Sequence, residues 1–275
     1  MDDLDGKVAV VTGAGSGIGR ASSLALAQSG VAVVVADLDG DRTETVVAEI
    51  VAAGGRAIGF RCDVASDDQV VALREAALAG FGQVDIVMNN VGILAVGYPE
   101  QIPIDGWRRL VEVNLLSVVR SITAFLPDMV ARGSGHIVNT ASTAGLYAYS
   151  YERLPYSATK GAVIALSEGL ALYCRPRGVG VTCLCPGPVI TNIGDQIEWF
   201  GAPGPLHGPD LPPLQPEVVG AQVVEAIRTD RFLLLTHAEV HDVLVARAQD
   251  PEGFLQRQIQ RISEQDAERG MGERG

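Results

Sequence analysis

Short runs of β-branched and aliphatic residues alternate along this chain with longer stretches whose apolar positions recur at helical spacing. The runs at 8–11, 31–36, 57–62, 85–88, 136–139, 179–184 and 232–235 predict seven strands. Several are almost unbroken Val, Ile and Leu, the pattern of strands covered on both faces. Helical spacing occupies 17–29, 41–53, 67–80, 105–131, 156–174 and 216–228. Strand and helix in strict alternation predict an α/β, doubly wound parallel sheet with helices on both faces. Neither a repeat nor a linker interrupts the pattern, so residues 1–275 are expected to form a single domain.

Two stretches break the rhythm. Residues 191–216 are rich in Gly and Pro and carry Ile193, Ile197, Trp199, Phe200 and Leu206, which predicts a lid or binding loop. After about 237 comes a helical extension to about 267. There Leu255, Ile259 and Ile262 form a narrow apolar stripe, expected to pack on the body or on a neighbouring subunit. Residues 268–275 are expected to fray.

Composition narrows the function. A net charge of -12 argues against nucleic acid and anionic membranes as partners, and counts mildly against an acidic carrier protein. The N-terminus is acidic where a secretory signal would be basic. Four scattered cysteines suggest reduced thiols, with Cys183 and Cys185 on one face of a strand, so a cytoplasmic protein is expected.

The first strand runs into Thr12-Gly13-Ala14-Gly15-Ser16-Gly17-Ile18-Gly19-Arg20, which opens a helix. Glycines let backbone approach a pyrophosphate, and the helix N-terminus offers free N–H groups. The spacing, Gly-x-x-x-Gly-x-Gly, differs from the usual Gly-x-Gly-x-x-Gly fingerprint. Asp37 ends the second strand, where a carboxylate can accept hydrogen bonds from an adenosine ribose. Leu38 follows it, and Ser16 stands where a basic residue would meet a 2′-phosphate. The expected cofactor is therefore NAD rather than NADP, with Arg42 the one local cation that speaks the other way.

Tyr156-Ser157-Ala158-Thr159-Lys160 puts a phenol and an ammonium four apart on one helix face. The chain has six Tyr and only two Lys, so random placement would give about 0.04 such pairs. A free tyrosine titrates near 10, and making it a base at neutral pH takes about 4 kcal/mol of differential stabilisation. A neighbouring cation supplies stabilisation of that sign.

Together with Asp63-Val64, Asn89-Asn90-Val91-Gly92, Asn114, Ser142 and Pro186-Gly187-Pro188-Val189-Ile190-Thr191, these elements resemble the short-chain dehydrogenase/reductase family over roughly residues 5–236. Val91 stands where that family usually has Ala. The resemblance implies a Rossmann-type fold and an oxidoreductase acting on a secondary alcohol or ketone. It makes Tyr156 the acid–base residue, Ser142 the holder of the reacting oxygen, and Lys160 the residue that lowers the Tyr156 pKa and binds the nicotinamide ribose. Asn114 would hold a relay water. Gly13, Ser16, Gly17, Ile18 and Gly19 would cradle the phosphates, Asp37 and Leu38 the adenosine, Asp63 and Val64 the adenine, Asn90 and Gly92 the adenosine side, and Val189 and Thr191 the nicotinamide amide. It also implies a homotetramer or homodimer.

The stretch 146–154 (Leu146, Tyr147, Tyr149, Tyr151, Leu154) and the lid suggest an apolar, fairly large small-molecule substrate, cyclic, terpenoid or steroid-like. A 3-oxoacyl reductase and a catalytically silent NAD-sensing protein are the alternatives. His237 and His241 flank Glu239 but lack a third ligand, so no metal is expected.

Overall fold

A computed structural model describes residues 1, 3–201, 204 and 206–268; the fraying expected at the C-terminus lies, from 269 onward, outside them. The seven expected strands are present: β1 (Val8–Thr12), β2 (Ala32–Asp37), β3 (Ala57–Arg61), β4 (Ile86–Asn89), β6 (Gly135–Thr140), β7 (Val179–Cys185) and β9 (Leu233–Leu235). They form one sheet in the order β3-β2-β1-β4-β6-β7-β9, with every pairing parallel.

Burial on both faces explains the unbroken aliphatic runs. Ala9, Val11, Val33, Val35, Ile86 and Met88 pack on one side of the sheet, with Leu26 of α1 (Gly17–Gln28) and Val219, Val223 and Ile227 of α8 (Pro216–Arg228). Their neighbours Val10, Val34 and Val87 face the other side. There they meet Leu73 of α3 (Asp67–Phe81), Phe125 and Met129 of α5 (Ser117–Arg132), and Ala171 and Cys174 of α7 (Leu154–Cys174). Each fully buried aliphatic side chain contributes about 1.5–3 kcal/mol. Local signals set the connections. Ser66 caps α3 by accepting from Gln69 N–H, and Gly82 ends it at φ 82°. Asp39 caps α2 (Gly40–Ala52) in the same way.

The stretch expected as one helix over 105–131 is α4 (Ile104–Val111), a π-helical turn Glu112–Leu116, then α5. Asn114 sits in that turn. Apolar spacing predicts that the stretch is helical but not which hydrogen-bond register one of its turns adopts.

Both exceptions carry structure that the apolar pattern does not show. The segment 191–216 lines the cavity described below and carries a strand of its own: β8 (Ile197–Trp199) pairs in parallel with β5 (Leu94–Val96) as a second, two-stranded sheet. The extension is two helices, α9 (Val240–Gln249) and α10 (Pro251–Glu268). Leu255 and Ile259 of the expected stripe are exposed; Phe254 is the buried apolar residue, edge-on to Tyr147. Arg261 donates to the carbonyls of Tyr149 and Gly208 at 2.8 and 3.0 Å. Backbone acceptors left open by the body thus orient α10 through polar contacts, which apolar periodicity cannot register.

Strand order reverses beside β1, between β2 and β4. Open α/β sheets bind ligands in the crevice beyond the carboxyl ends of such strands, and that crevice holds the candidate site.

Candidate active site

A cavity of about 920 Å³ opens beyond the carboxyl ends of β1, β2, β4 and β6. At its phosphate end the Thr12–Gly19 turn needs its glycines for two reasons. Gly13 and Gly17 have φ of 62° and 51°, a region that disfavours side chains. A Cβ on Gly19 would lie 2.1 Å from the Gly13 carbonyl oxygen. Gly19 does not line the cavity; it lets α1 pass directly behind Gly13. Gly13, Ser16, Gly17 and Ile18 do line it. Ser16 occupies the N-cap position of α1 without capping it, and the first turn carries no acidic residue. Unmet N–H groups and the positive end of the helix dipole therefore face the cavity, a cradle that suits a pyrophosphate.

Asp37 stands beside this cradle. Its carboxylate accepts from Gly15 N–H at 2.8 Å and Asp39 N–H at 3.1 Å. Leu38 is 61% exposed and lines the same wall. Arg42 lines this wall too, paired with Asp39, its Nε 3.2 Å from that carboxylate. A second arginine escaped the sequence reading: Arg61, in register with Asp37 on β3, donates to the Leu38 carbonyl at 3.1 Å. It does not line the cavity. Asp63, Val64, Asn90, Gly92, Val189 and Thr191 all do. Asn90 is fixed by its N–H to Thr12 Oγ1 (3.1 Å) and its amide to the Gly13 carbonyl (3.3 Å).

At the other end Ser142, Tyr156 and Lys160 converge on the cavity. Ser142 ends the loop after β6 and caps α6 (Thr143–Leu146), accepting from Ala144 N–H at 3.1 Å. Tyr156 and Lys160 lie in the first turns of α7, with Nζ 5.7 Å from the phenol ring centre. Lys160 donates to the Thr140 carbonyl at 2.8 Å.

The electrostatics depart from the expectation that Lys160 lowers the Tyr156 pKa. Burial, followed by the adjacent Tyr149 phenol, pushes Tyr156 up to about 12, while the Ser142 hydroxyl and Arg153 pull the other way. Burial also lowers Lys160 to about 8. Spacing placed the two groups on one face, but desolvation, which it does not measure, dominates both.

Asn114 is wholly buried and does not line the cavity. Its Oδ1 accepts from Ile93 N–H at 2.8 Å; its Nδ2 donates to the Ile93 carbonyl and Thr159 Oγ1 at 3.0 and 3.2 Å. The amide fixes the wall at Gly92, where a Cβ would come within 3.2 Å of Lys160 Nζ.

The expected apolar substrate wall is corrected in part. Tyr149 and Ile193 line the cavity, but Tyr147 packs on Phe254, Tyr151 stacks on Tyr98, and Trp199 is exposed. Arg109, Glu112, Arg153 and Gln196 contribute instead. Aromatic residues in a loop satisfy each other before they face a cavity. Arg153, the one cation in that aromatic stretch, is the available clue.

His237 is bonded to Thr236 Oγ1 and the Pro212 carbonyl, whereas His241 is exposed beside Asp242. Among the described residues no three His, Cys, Asp or Glu side chains gather as metal ligands. All four cysteines are buried, free thiols.

A doubly wound sheet with a glycine-lined phosphate cradle at its switch point, and a Ser–Tyr–Lys cluster beside it, defines a dinucleotide-dependent oxidoreductase. Residues 7–199 match the family model described as short chain dehydrogenase, and the chain belongs to that family. A cyclohexanol dehydrogenase from Acinetobacter sp. (strain SE19) is 40% identical over 196 residues, 71% of this chain and 78% of the relative. A 1-deoxy-11-beta-hydroxypentalenate dehydrogenase from Streptomyces exfoliatus is 35% identical, covering 86% of this chain and 85% of its own. A solved short chain dehydrogenase/reductase from Burkholderia phymatum, in complex with NAD, superposes with TM-score 0.84 at 36% identity, over 92% of this chain and 96% of that one.

Proposed function

We propose that this chain interconverts a ring-bearing secondary alcohol and its ketone with NAD(H), through Tyr156. The observation that carries the reading is the convergence of Ser142, Tyr156 and Lys160 on the cavity whose far end is bounded by the Asp37 carboxylate. The nicotinamide, when bound, supplies hydride acceptance in oxidation and hydride donation in reduction. Ser142 holds the substrate oxygen by a neutral hydrogen bond. Tyr156 takes the hydroxyl proton during oxidation and returns it during reduction. Lys160, whose Nζ lies 5.7 Å from the phenol ring centre, would hold the nicotinamide ribose beside it. Asn114 keeps one lone pair on Oδ1 for a relay water beyond Lys160. The cyclic character of the substrate is supported by relatives named for cyclohexanol and for a cyclohexadiene-diol, and by a cavity with room for a ring.

The preference for NAD over NADP rests on Asp37. A 2′-phosphate would meet its carboxylate, and such like-charge contact costs several kcal/mol. NAD+ is therefore expected to outperform NADP+ in kcat/KM by about 100-fold or more. In Asp37→Ser the gap should close to about tenfold or less. Steady-state rates at 340 nm with both cofactors decide; equal use of the two by the wild type would refute the preference.

The assembly is a homodimer or homotetramer. Leu172 (81% exposed) and Tyr173 on α7, with Leu116 and Val119 where α5 begins, leave apolar side chains uncovered within the chain. A Cβ on Gly169 of α7 would likewise meet nothing within 4 Å. Size-exclusion chromatography with light scattering should give at least twice 28.9 kDa; a monomer would contradict the assembly.

A further inference from the structure

The substrate end of the cavity contains a cation that no carboxylate among the described residues pairs with. Arg153 lines the cavity with Tyr149 and Tyr156, and its guanidinium carbon lies 5.7 Å from the centre of the Tyr149 ring. Its Nε donates to Ser150 Oγ at 3.1 Å and its Nη2 to the His207 carbonyl. Both acceptors are neutral, and among the described residues no carboxylate lies within 4.0 Å of this guanidinium.

Carboxylates are nearby but committed elsewhere. Glu152, the adjacent residue, is 2% exposed and turned to His207, itself 1% exposed. Glu152 Oε1 accepts from the His207 backbone N–H at 3.0 Å and faces Nδ1 of its ring, while Ser150 donates to Oε2. On the far side of the imidazole, Asp266 of α10 has Oδ1 3.0 Å from Nε2. The two acids thus bracket the histidine and hold its carbonyl where Arg153 reaches it. The other arginine on this wall, Arg109, lies 3.3 Å from Glu198, and Glu112 is paired with Arg120.

A partly buried guanidinium held by neutral acceptors keeps its capacity for charge-assisted, bidentate recognition of a carboxylate. In a chain of net charge -12, such a cation at a substrate cavity is a specific feature rather than background. Arg153 is also near enough to pull the Tyr156 phenol toward ionisation, so an anion bound there would sit a few bonds from the reacting carbon. We propose that Arg153 forms an anion subsite, and that the ring-bearing alcohol carries a carboxylate which this guanidinium binds. The proposal rests on the dehydrogenase reading for the word alcohol, but not for the anion.

The test separates the two. Isothermal titration of the NAD+-loaded protein with cyclohexanecarboxylate and with cyclohexanecarboxamide compares charge at nearly constant shape and needs no turnover. The acid is expected to bind about tenfold or more tighter than the amide, the size of effect a charge-assisted pair gives. Arg153→Gln should erase that ratio and Arg153→Lys should keep part of it. Equal binding of acid and amide by the wild type overturns the subsite, as does a preference that survives in Arg153→Gln. Should that variant not fold, the wild-type ratio together with Arg153→Lys decides. A parallel assay compares oxidation of 3-hydroxycyclohexanecarboxylate and cyclohexanol, and the acid should show the higher kcat/KM. Failure of both alcohols alongside an intact acid preference would overturn the dehydrogenase reading while leaving the anion subsite standing.

Discussion

Tyr156→Phe is expected to lower kcat for alcohol oxidation by about 10²–10⁴-fold, the contribution of a positioned acid–base group. The substitution removes one oxygen from a partly buried ring that lines the cavity and leaves the cavity's shape almost unchanged. The affinity for NAD+, measured by fluorescence titration, should shift far less than the rate. A pH profile adds a second readout. The base form is the phenolate, and burial holds Tyr156 up to about 12, so the wild-type oxidation rate should climb with pH through the neutral range. That limb should vanish in Tyr156→Phe. A variant retaining more than a tenth of wild-type turnover would remove Tyr156 from the chemistry.

The second large effect is steric. In Gly19→Ala the new methyl would lie 2.1 Å from the Gly13 carbonyl oxygen and 2.7 Å from Asn90 Nδ2. Neither neighbour can retreat cheaply. Gly13 is backbone at a left-handed φ, and Asn90 is hydrogen-bonded to Thr12 and Gly13. Overpacking of this kind costs about 1–3 kcal/mol, which in a chain of this size lowers Tm by about 2–12 °C. Because α1 and the Gly13 turn must separate, the phosphate cradle opens as well. Binding of NAD+ should weaken by more than about tenfold, or about 1.4 kcal/mol. Calorimetry and titration on the same preparation test both effects. An alanine variant with wild-type Tm and affinity would show that the close approach of α1 to Gly13 is not required.

Much of this was legible in the residues taken alone, and the reason is locality. A strand covered on both faces must be apolar throughout, so Val33-Val34-Val35 declares itself without reference to its partners. A turn bringing backbone to a phosphate must be glycine, and two groups four apart on a helix must share a face. These constraints act over a few residues, and they identified the seven strands and the Tyr156–Lys160 pair.

Tertiary structure decided what depends on distant partners. The upward pull on the Tyr156 pKa follows from desolvation and the neighbouring Tyr149, and spacing carries no measure of either. Asn114 owes its place to a π-turn and to Ile93, 21 residues away. The inward face of α10 is set by Arg261, which donates to carbonyls more than 50 residues back in the chain, and by Asp266, whose carboxylate lies against the His207 ring. The apolar stripe of α10 does not pack on the body: Leu255 and Ile259 are left exposed within the chain, which leaves the neighbouring subunit as the surface they were expected to meet. The charge of Arg153 likewise gains meaning only through what surrounds it: Glu152 is its neighbour in sequence, yet the fold gives that carboxylate to His207. Periodicity reports which residues can be buried; only the assembled chain determines which polar groups are satisfied and which are left for a ligand.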